Sequence, residues 1–298
     1  MKPKPVVKWA GGKARLLGEI LPSVPARIGT YFEPFCGGAA LFFALAAEDP
    51  RRFKHAVLAD RNEELVALYR AIRDDLPGLL KELRKFKHDR DFFYEVRAWD
   101  VKRASPVKRG ARLLFLNKTC FNGLWRVNSK GEFNVPFGKY KNPNFLDEDA
   151  LAAASEALQG VDIKVADFAD VTRAAKAGDF VYFDPPYAPV SRTAQFTSYA
   201  VDGFGPADQE RLREEFLRLR NKKVAALLSN ADVSDVRALY DDFSVRVVSA
   251  RRSINSDIKK RGVVSEVIVS TTHPAQEARV TTRSEAKAHA IPKRAAMR

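Results

Sequence analysis

Histidine and cysteine are scarce in this chain. Its 298 residues hold four histidines and two cysteines. His55, His88, His273 and His289 are scattered, and neither they nor Cys36 and Cys120 fall at metal-ligand spacing, so no metal site is expected. Two thiols make no disulfide framework and fit a reducing, intracellular setting. Long apolar runs are missing too, far short of the roughly 18 residues that span a bilayer. The opening MKPKPVVKWAGGK has no apolar core followed by a small-residue cleavage site, so secretion is not expected. Acids are in deficit: 51 Lys+Arg face 37 Asp+Glu, a net +14. The excess is uneven. Residues 61–145 hold 19 Lys+Arg against 10 Asp+Glu, a local +9. That reads either as a polyanion-binding region, nucleic acid above all, or as a basic surface kept for solubility.

What the chain does have is a hydrophobic share of 46%, enough for one large domain or two smaller ones. Asp179 to Tyr187 reads DFVYFDPPY. Phe180 to Phe183 is an aromatic run suited to a strand buried on both faces of a parallel sheet. It stops at Asp184, because Pro185 and Pro186 carry no N–H to continue a ladder. A carboxylate, a rigid turn and an aromatic ring therefore sit at the carboxyl end of a buried strand, where open α/β sheets bind ligands. The chemistry that suits this is methylation of a poorly nucleophilic amine. An exocyclic amine on a base has its lone pair delocalised into the ring. Asp184 can accept one of its N–H groups and the Pro185 carbonyl the other, drawing the lone pair toward an electrophile. Tyr187 can stack on the planar base. The alternative is a plain strand-to-loop turn with an Asx cap.

Earlier in the chain, Gly11-Gly12-Lys13 suggests a phosphate loop, but the GxxxxGK[ST] spacing is absent and Ala14 replaces the Mg²⁺-binding hydroxyl. The glycine pair still lets backbone approach a ligand, with Lys13 reaching an anionic group. A helix is expected over 13–21, ending before Pro22. Residues 31–46 read as aromatic strand, Gly37-Gly38 turn and apolar helix, the unit whose backbone N–H groups face a cofactor. The second strand ends at Asp60, which either binds ribose hydroxyls or belongs to the cap region of the next helix, 63–73. Asn62 is a candidate cap for that helix.

Residues 65–104 are helical in period with charged faces. From Asn117 to Tyr140 the chain is dense in Asn, Gly, basic and aromatic residues. Residues 127–133 suit a small hairpin with Ser129-Lys130-Gly131 at its tip. Basic side chains interleaved with aromatics and amides suit base-edge bonding, phosphate contact and wedging into a base stack. An ordinary turn-rich loop is the alternative. After Asn144 the α/β alternation resumes: a helix over 149–158, a strand over 163–165 followed by Asp167, the DPPY strand, a polar loop over 188–204, a helix over 206–220 and a strand over 224–228. Two late strands, 245–248 and 263–270, are joined by a basic loop and suit an edge hairpin. From His273 periodicity vanishes, and the tail reads as disordered and either weakly DNA-attracting or inert.

Seven stretches, in order KWAGGK, FEPFCGGAALF, LADRNEELVALY, LFLNKTCFNGLWRVNSKGEFNVPFGKY, VYFDPPYAP, LLSNAD and RRSINS, resemble the Dam-type DNA adenine-N6 methyltransferases. These form the D12 class, the alpha group of amino-methyltransferases, with a recognition insert between the cofactor and DPPY motifs. The resemblance runs from about Lys8 to Thr271. It implies an α/β fold, a Rossmann-like S-adenosylmethionine-dependent methyltransferase sheet with a late antiparallel hairpin and an inserted, mostly helical target-recognition domain. The implied division is 1–60 and 145–273 for catalysis, 61–144 for recognition and 274–298 as a basic tail. Trp9, Lys13, Asp60 and Asp184 are implied to contact S-adenosylmethionine, with the turn Phe35, Gly37, Gly38 packed against it. Asp184, Pro185, Pro186 and Tyr187 are the implied catalytic residues. Lys8, Phe121, Asn122, Leu124, Arg126 and Tyr140 are implied to face DNA, with Phe121 standing where many relatives carry Tyr. The implied substrate is adenine in double-stranded DNA, in the sequence GATC. The expected protein is a cytoplasmic, nucleoid-associated monomer of a bacterium or phage, acting without a metal. A cognate restriction endonuclease is a candidate partner without a stable complex.

Overall fold

The computed structural model describes residues 1–187, 204–251 and 263–272. The polar loop over 188–203, most of the basic loop that follows Ala250, and the tail lie outside the described residues. Seven strands form one sheet: β1 (Ile28–Glu33), β2 (Phe53–Asp60), β3 (Asp162–Val165), β4 (Phe180–Phe183), β5 (Ala225–Ala231), β6 (Ser244–Arg251) and β7 (Val263–Ser270), in the order β3-β2-β1-β4-β5-β7-β6. The first five are parallel, and β7 lies antiparallel between β5 and β6. The expected Rossmann-like sheet with a late hairpin is what the chain builds.

The aromatic run of β4 is central, paired with β1 through Tyr31 and Phe180 and with β5 through Phe183 and Leu228. Side chains alternate across a strand, so Phe180 and Tyr182 enter one core layer and Val181 and Phe183 the other. That is why the run carries no outward polar residue. The first layer packs the helices Ala40–Ala46, Glu63–Asp74, Pro106–Thr119 and Glu148–Leu158. The second packs Phe168–Thr172, Pro206–Asn221 and Ser234–Leu239. Among the described residues no helix is long and apolar enough to cross a membrane.

Between β2 and β3 the chain adds the helices Leu76–Leu83, Arg90–Arg97 and Pro106–Thr119. Their apolar faces join the same core layer as the sheet. Arg112, only 3% exposed, ties this stack together. It pairs with Glu64 at 2.5 Å and donates to the carbonyls of Val96 at 3.0 Å and Arg97 at 2.7 Å. Asn62 caps its helix as expected, accepting from the amides of Glu64 and Leu65, both at 3.0 Å.

The helix expected over 13–21 is instead a 3-10 turn (Lys13–Arg15), one α turn (Leu17–Ile20) and a second 3-10 turn (Leu21–Ser23). Lys13 donates back to the Gly11 carbonyl, and the segment is too short to propagate a helix once its first residue is held elsewhere. The helix that follows β5 runs from Ser234 to Leu239.

Candidate active site

Strand order reverses between β1 and β4, which makes their carboxyl ends the switch point of the sheet. Asp184 follows β4 there. Its Oδ1 lies 2.6 Å from the Lys13 ammonium, and Lys13 is 4% exposed. Burial pushes the Asp184 carboxyl up to about 6. The Lys13 ammonium opposes that rise, and the charge of Glu266 adds to it. The same ammonium sits 4.6 Å from the centroid of the Tyr187 ring, and Gly11 O accepts from it at 2.6 Å. Lys13, from one stretch, thus touches both Asp184 and Tyr187 of another that is distant in sequence.

The turn between Asp184 and Tyr187 is held from behind. Gln209 donates to the Pro186 carbonyl at 3.2 Å and itself accepts from Asn230 at 3.1 Å. Among the described residues nothing bonds to the Pro185 carbonyl. Beneath β1, Tyr31 donates to Glu33 at 2.9 Å, and burial lifts the Glu33 carboxyl to about 8, against the Tyr31 bond and with the Asp184 charge adding. Tyr182 and Ser229 share a hydrogen bond of 2.6 Å.

A second group gathers around the glycine turn. Gly37 has φ of +45°, and a Cβ there would lie 2.7 Å from the Trp9 ring. The Gly37 amide donates to Asp60 at 3.0 Å, and Asn62 donates to the other carboxylate oxygen at 2.9 Å. Tyr69 donates to the Gly37 carbonyl at 2.7 Å. Gly38 also faces Trp9, whose Cβ would lie 3.5 Å from an added methyl. Phe35 stacks on Phe168 at 5.5 Å and meets Phe204 edge-on at 5.5 Å. Beside them, Asp167 pairs with Arg61 at 2.5 Å and Arg211 at 3.0 Å. This set fits a nucleoside cofactor. Each Asp60 oxygen keeps a lone pair for a hydroxyl, and the cradle at Gly37 closes if a side chain is added.

A third group lies on the turn-rich stretch. The Lys8 ammonium donates to the Tyr140 hydroxyl at 3.3 Å and sits 4.5 Å from its ring centroid. Phe121 is 42% exposed, and Asn122 adopts φ of +57°, a conformation asparagine tolerates. Leu124 is half-buried. Val127 and Phe133 pair as the expected hairpin, and Arg126 on it donates from Nε to Asn134 at 2.8 Å. Trp9 joins this group to the second one, stacking on Trp125 at 6.2 Å and 19°.

Asn117 is the staple. Fully buried, it accepts from the Lys8 amide at 2.8 Å and donates to the carbonyls of Lys8 at 2.7 Å and Gly123 at 3.1 Å. Asn117→Ala leaves those backbone groups unpaired and is expected to cost about 2–4 kcal/mol. Chemical unfolding checks this; a loss below about 0.5 kcal/mol, the scale of an ordinary surface change, contradicts it.

Sequence reasoning did not single out Glu266, Gln209 or Trp125. Glu33 stood within the FEPFCGGAALF stretch and Asp167 just past a strand, which was the available signal.

Comparison with known proteins bears on these groups together. Residues 9–254 match the family of D12 class N6 adenine-specific DNA methyltransferases. The Type II methyltransferase M1.LlaDCHI of Lactococcus lactis subsp. cremoris is 40% identical over 274 residues, covering 89% of this chain and 94% of that protein. The Type II methyltransferase M.MjaIII of Methanocaldococcus jannaschii is 39% identical over 289 residues, covering 90% and 99%. The DNA adenine methylase of Escherichia coli K12 is 34% identical over 271 residues, covering 90% and 95%. A match across most of the length, spanning all three groups, settles the family: the chain belongs to the D12 class N6 adenine-specific DNA methyltransferases.

Proposed function

We propose that this enzyme methylates N6 of adenine in GATC sites of duplex DNA, taking the target adenine out of the base stack. The observation that carries the reaction is the carboxylate of Asp184 at the sheet's switch point, held at 2.6 Å by a buried Lys13 whose ammonium also lies over the Tyr187 ring. Adenine N6 is planar and conjugated. Asp184 and the Pro185 carbonyl accept its two N–H groups and turn the lone pair out of the ring. Tyr187 stacks on the extruded base, which cannot be approached in line inside a duplex. When bound, S-adenosylmethionine supplies the methyl as an electrophile that N6 attacks directly, with no covalent enzyme intermediate. Asp60, Trp9, Phe35, Gly37 and Gly38 hold that donor, and Lys13 and Asp184 border it. Orientation and preplaced dipoles supply most of the rate gain.

Phe121, Asn122, Leu124, Arg126 and Tyr140 face DNA from a recognition region over 61–144 whose local +9 supplies attraction to phosphates, and Lys8 joins them from the N-terminal segment. The DNA adenine methylase names support adenine in DNA as the substrate, and the resemblance of the stretch from Asn117 to Tyr140 to the family's GATC-reading members supports GATC. The Type II names of two relatives support a cognate restriction endonuclease as partner.

Arg126, oriented by Asn134, is the candidate for a bidentate guanine contact. Arg126→Ala relaxes discrimination at one base pair by about 1–3 kcal/mol. Transfer rates on a set of singly substituted duplexes measure this, and unchanged discrimination at every position contradicts it.

The reaction is tested with purified protein, S-adenosylmethionine labelled on the methyl and a synthetic GATC duplex. Label is expected in the duplex and not in one already carrying N6-methyladenine at both sites. Label in RNA or protein, with none in DNA, moves the substrate to another planar amine. A salt-sensitive gel shift without binding of the donor makes the chain a DNA-binding module.

A further inference from the structure

Tyr187 is held at its far end by a residue from the opposite edge of the parallel sheet. Its hydroxyl donates to Oε2 of Glu266. Glu266 lies on β7, paired with Ala231 of β5, and is 9% exposed. Its neighbours Val267, Ile268 and Val269 are core residues at 0 to 3% exposure. A strand at that position is served as well by a β-branched apolar residue, and burying a carboxylate is costly without a compensating bond. The compensation here is the tyrosine hydroxyl.

The contacts run in a line. Glu266 takes the hydroxyl of Tyr187, the Lys13 ammonium lies over its ring, and Lys13 pairs with Asp184. The outer torsion of a tyrosine is broad and roughly two-fold, so packing alone fixes ring rotation poorly. The hydroxyl lies on the axis of that torsion, so a charge-assisted bond there anchors the far end of the ring and the direction of its long axis, while the Lys13 ammonium lies over the ring face.

We infer that Glu266 is a positioning residue for methyl transfer, anchoring the far end of the Tyr187 ring on which the target base lies. The inference rests on the proposed role of Tyr187 as the base-stacking residue. It also has an electrostatic side. Among the described residues, the groups facing Asp184 are Lys13 from the N-terminal turn, Glu33 from β1, Tyr182 and Tyr187 from the β4 segment and Glu266 from β7. Of these, Lys13 lowers the Asp184 carboxyl and Glu266 raises it. Removing the Glu266 charge therefore moves the acid limb of the rate to lower pH.

The test measures single-turnover methyl transfer against pH for wild type, Glu266→Gln, Glu266→Leu, Tyr187→Phe, the Glu266→Leu/Tyr187→Phe double variant and Tyr187→Ala. Glu266→Leu and Tyr187→Phe are each expected to lose about tenfold in rate, the scale of one hydrogen bond, with DNA affinity unchanged. The double variant is expected to lose no more than either single one, because both remove the same contact. Glu266→Gln keeps an acceptor and is expected within about threefold of wild type, with its acid limb shifted down. Additive losses in the double variant, or an unmoved acid limb in both Glu266 variants, overturn the inference. Should Glu266→Leu fail to fold, Glu266→Gln and Tyr187→Phe carry the same comparison. Wild-type rate in Glu266→Leu with Tyr187→Ala inactive overturns the positioning role alone. Wild-type rate in Tyr187→Ala overturns the stacking role and the inference with it.

Discussion

Asp184→Ala transfers methyl groups at least about a hundredfold to a thousandfold more slowly than wild type while keeping most of its affinity for duplex DNA. The expectation follows from where the carboxylate stands. β4 is buried on both faces, the prolines end it, and Asp184 emerges at the switch point with its Oδ1 on Lys13 at 2.6 Å. The residues proposed to meet DNA belong to other groups, around Lys8, Asn117 and the hairpin of Arg126. Removing Asp184 leaves those intact and removes one of the two acceptors that would turn the N6 lone pair out of conjugation. An acceptor placed before the reaction is worth far more than one recruited from water. In the wild type, transfer is expected to fall as pH drops through about 6, where burial places the titration of Asp184. Single-turnover transfer and equilibrium DNA binding measure the two halves separately. Loss of DNA binding along with transfer contradicts separate roles.

Lys13→Met is expected to lower transfer at neutral pH by about tenfold or more, with part of the loss recovered at higher pH. Lys13 lowers the Asp184 carboxyl, so without it that carboxyl titrates above 6 and less of it is ionised near neutrality. Stability follows the same sign. Asp184 titrates higher in the folded chain than its usual 3.8, so the folded state binds the extra proton. Stability is therefore lost as pH rises through the folded value, and in Lys13→Met that loss extends to higher pH. Breaking a buried ion pair costs about 3–5 kcal/mol. With the Asp184 side chain 19% exposed, the lower end, about 3 kcal/mol, is expected here. Thermal unfolding and transfer rates over about pH 5 to 9 check both statements. An acid limb that stays near 6 in Lys13→Met contradicts the pairing as the source of the charge balance.

Much of this architecture is legible in the residues because the signals are local. Phe180–Phe183 reads as a doubly buried strand because every residue in it is apolar or aromatic, and Pro185 marks its end. Asn62 reads as a cap because a short acceptor precedes a charged, periodic run. Val127 and Phe133 read as a hairpin because Ser129-Lys130-Gly131 supplies its turn. The segment after Lys13 misleads because its period fits a helix, while the ammonium is drawn back to Gly11 and Asp184, a tertiary demand that propensity does not carry. Glu266 was illegible for another reason. It meets Tyr187 across 79 positions through an antiparallel strand placed between β5 and β6, and one acid in an apolar strand carries no sign of its partner. Trp125 meets Trp9 through the fold alone in the same way.

The most direct measurement expresses the chain in a host lacking adenine methylation and maps N6-methyladenine across the genome by long-read sequencing. N6-methyladenine is expected in GATC alone, and nowhere when Asp184 is replaced by Ala. Methylation at a different sequence contradicts the reading of residues 117–140 and leaves the chemistry standing. An unmethylated genome in cells holding folded protein that binds S-adenosylmethionine contradicts the account at its centre.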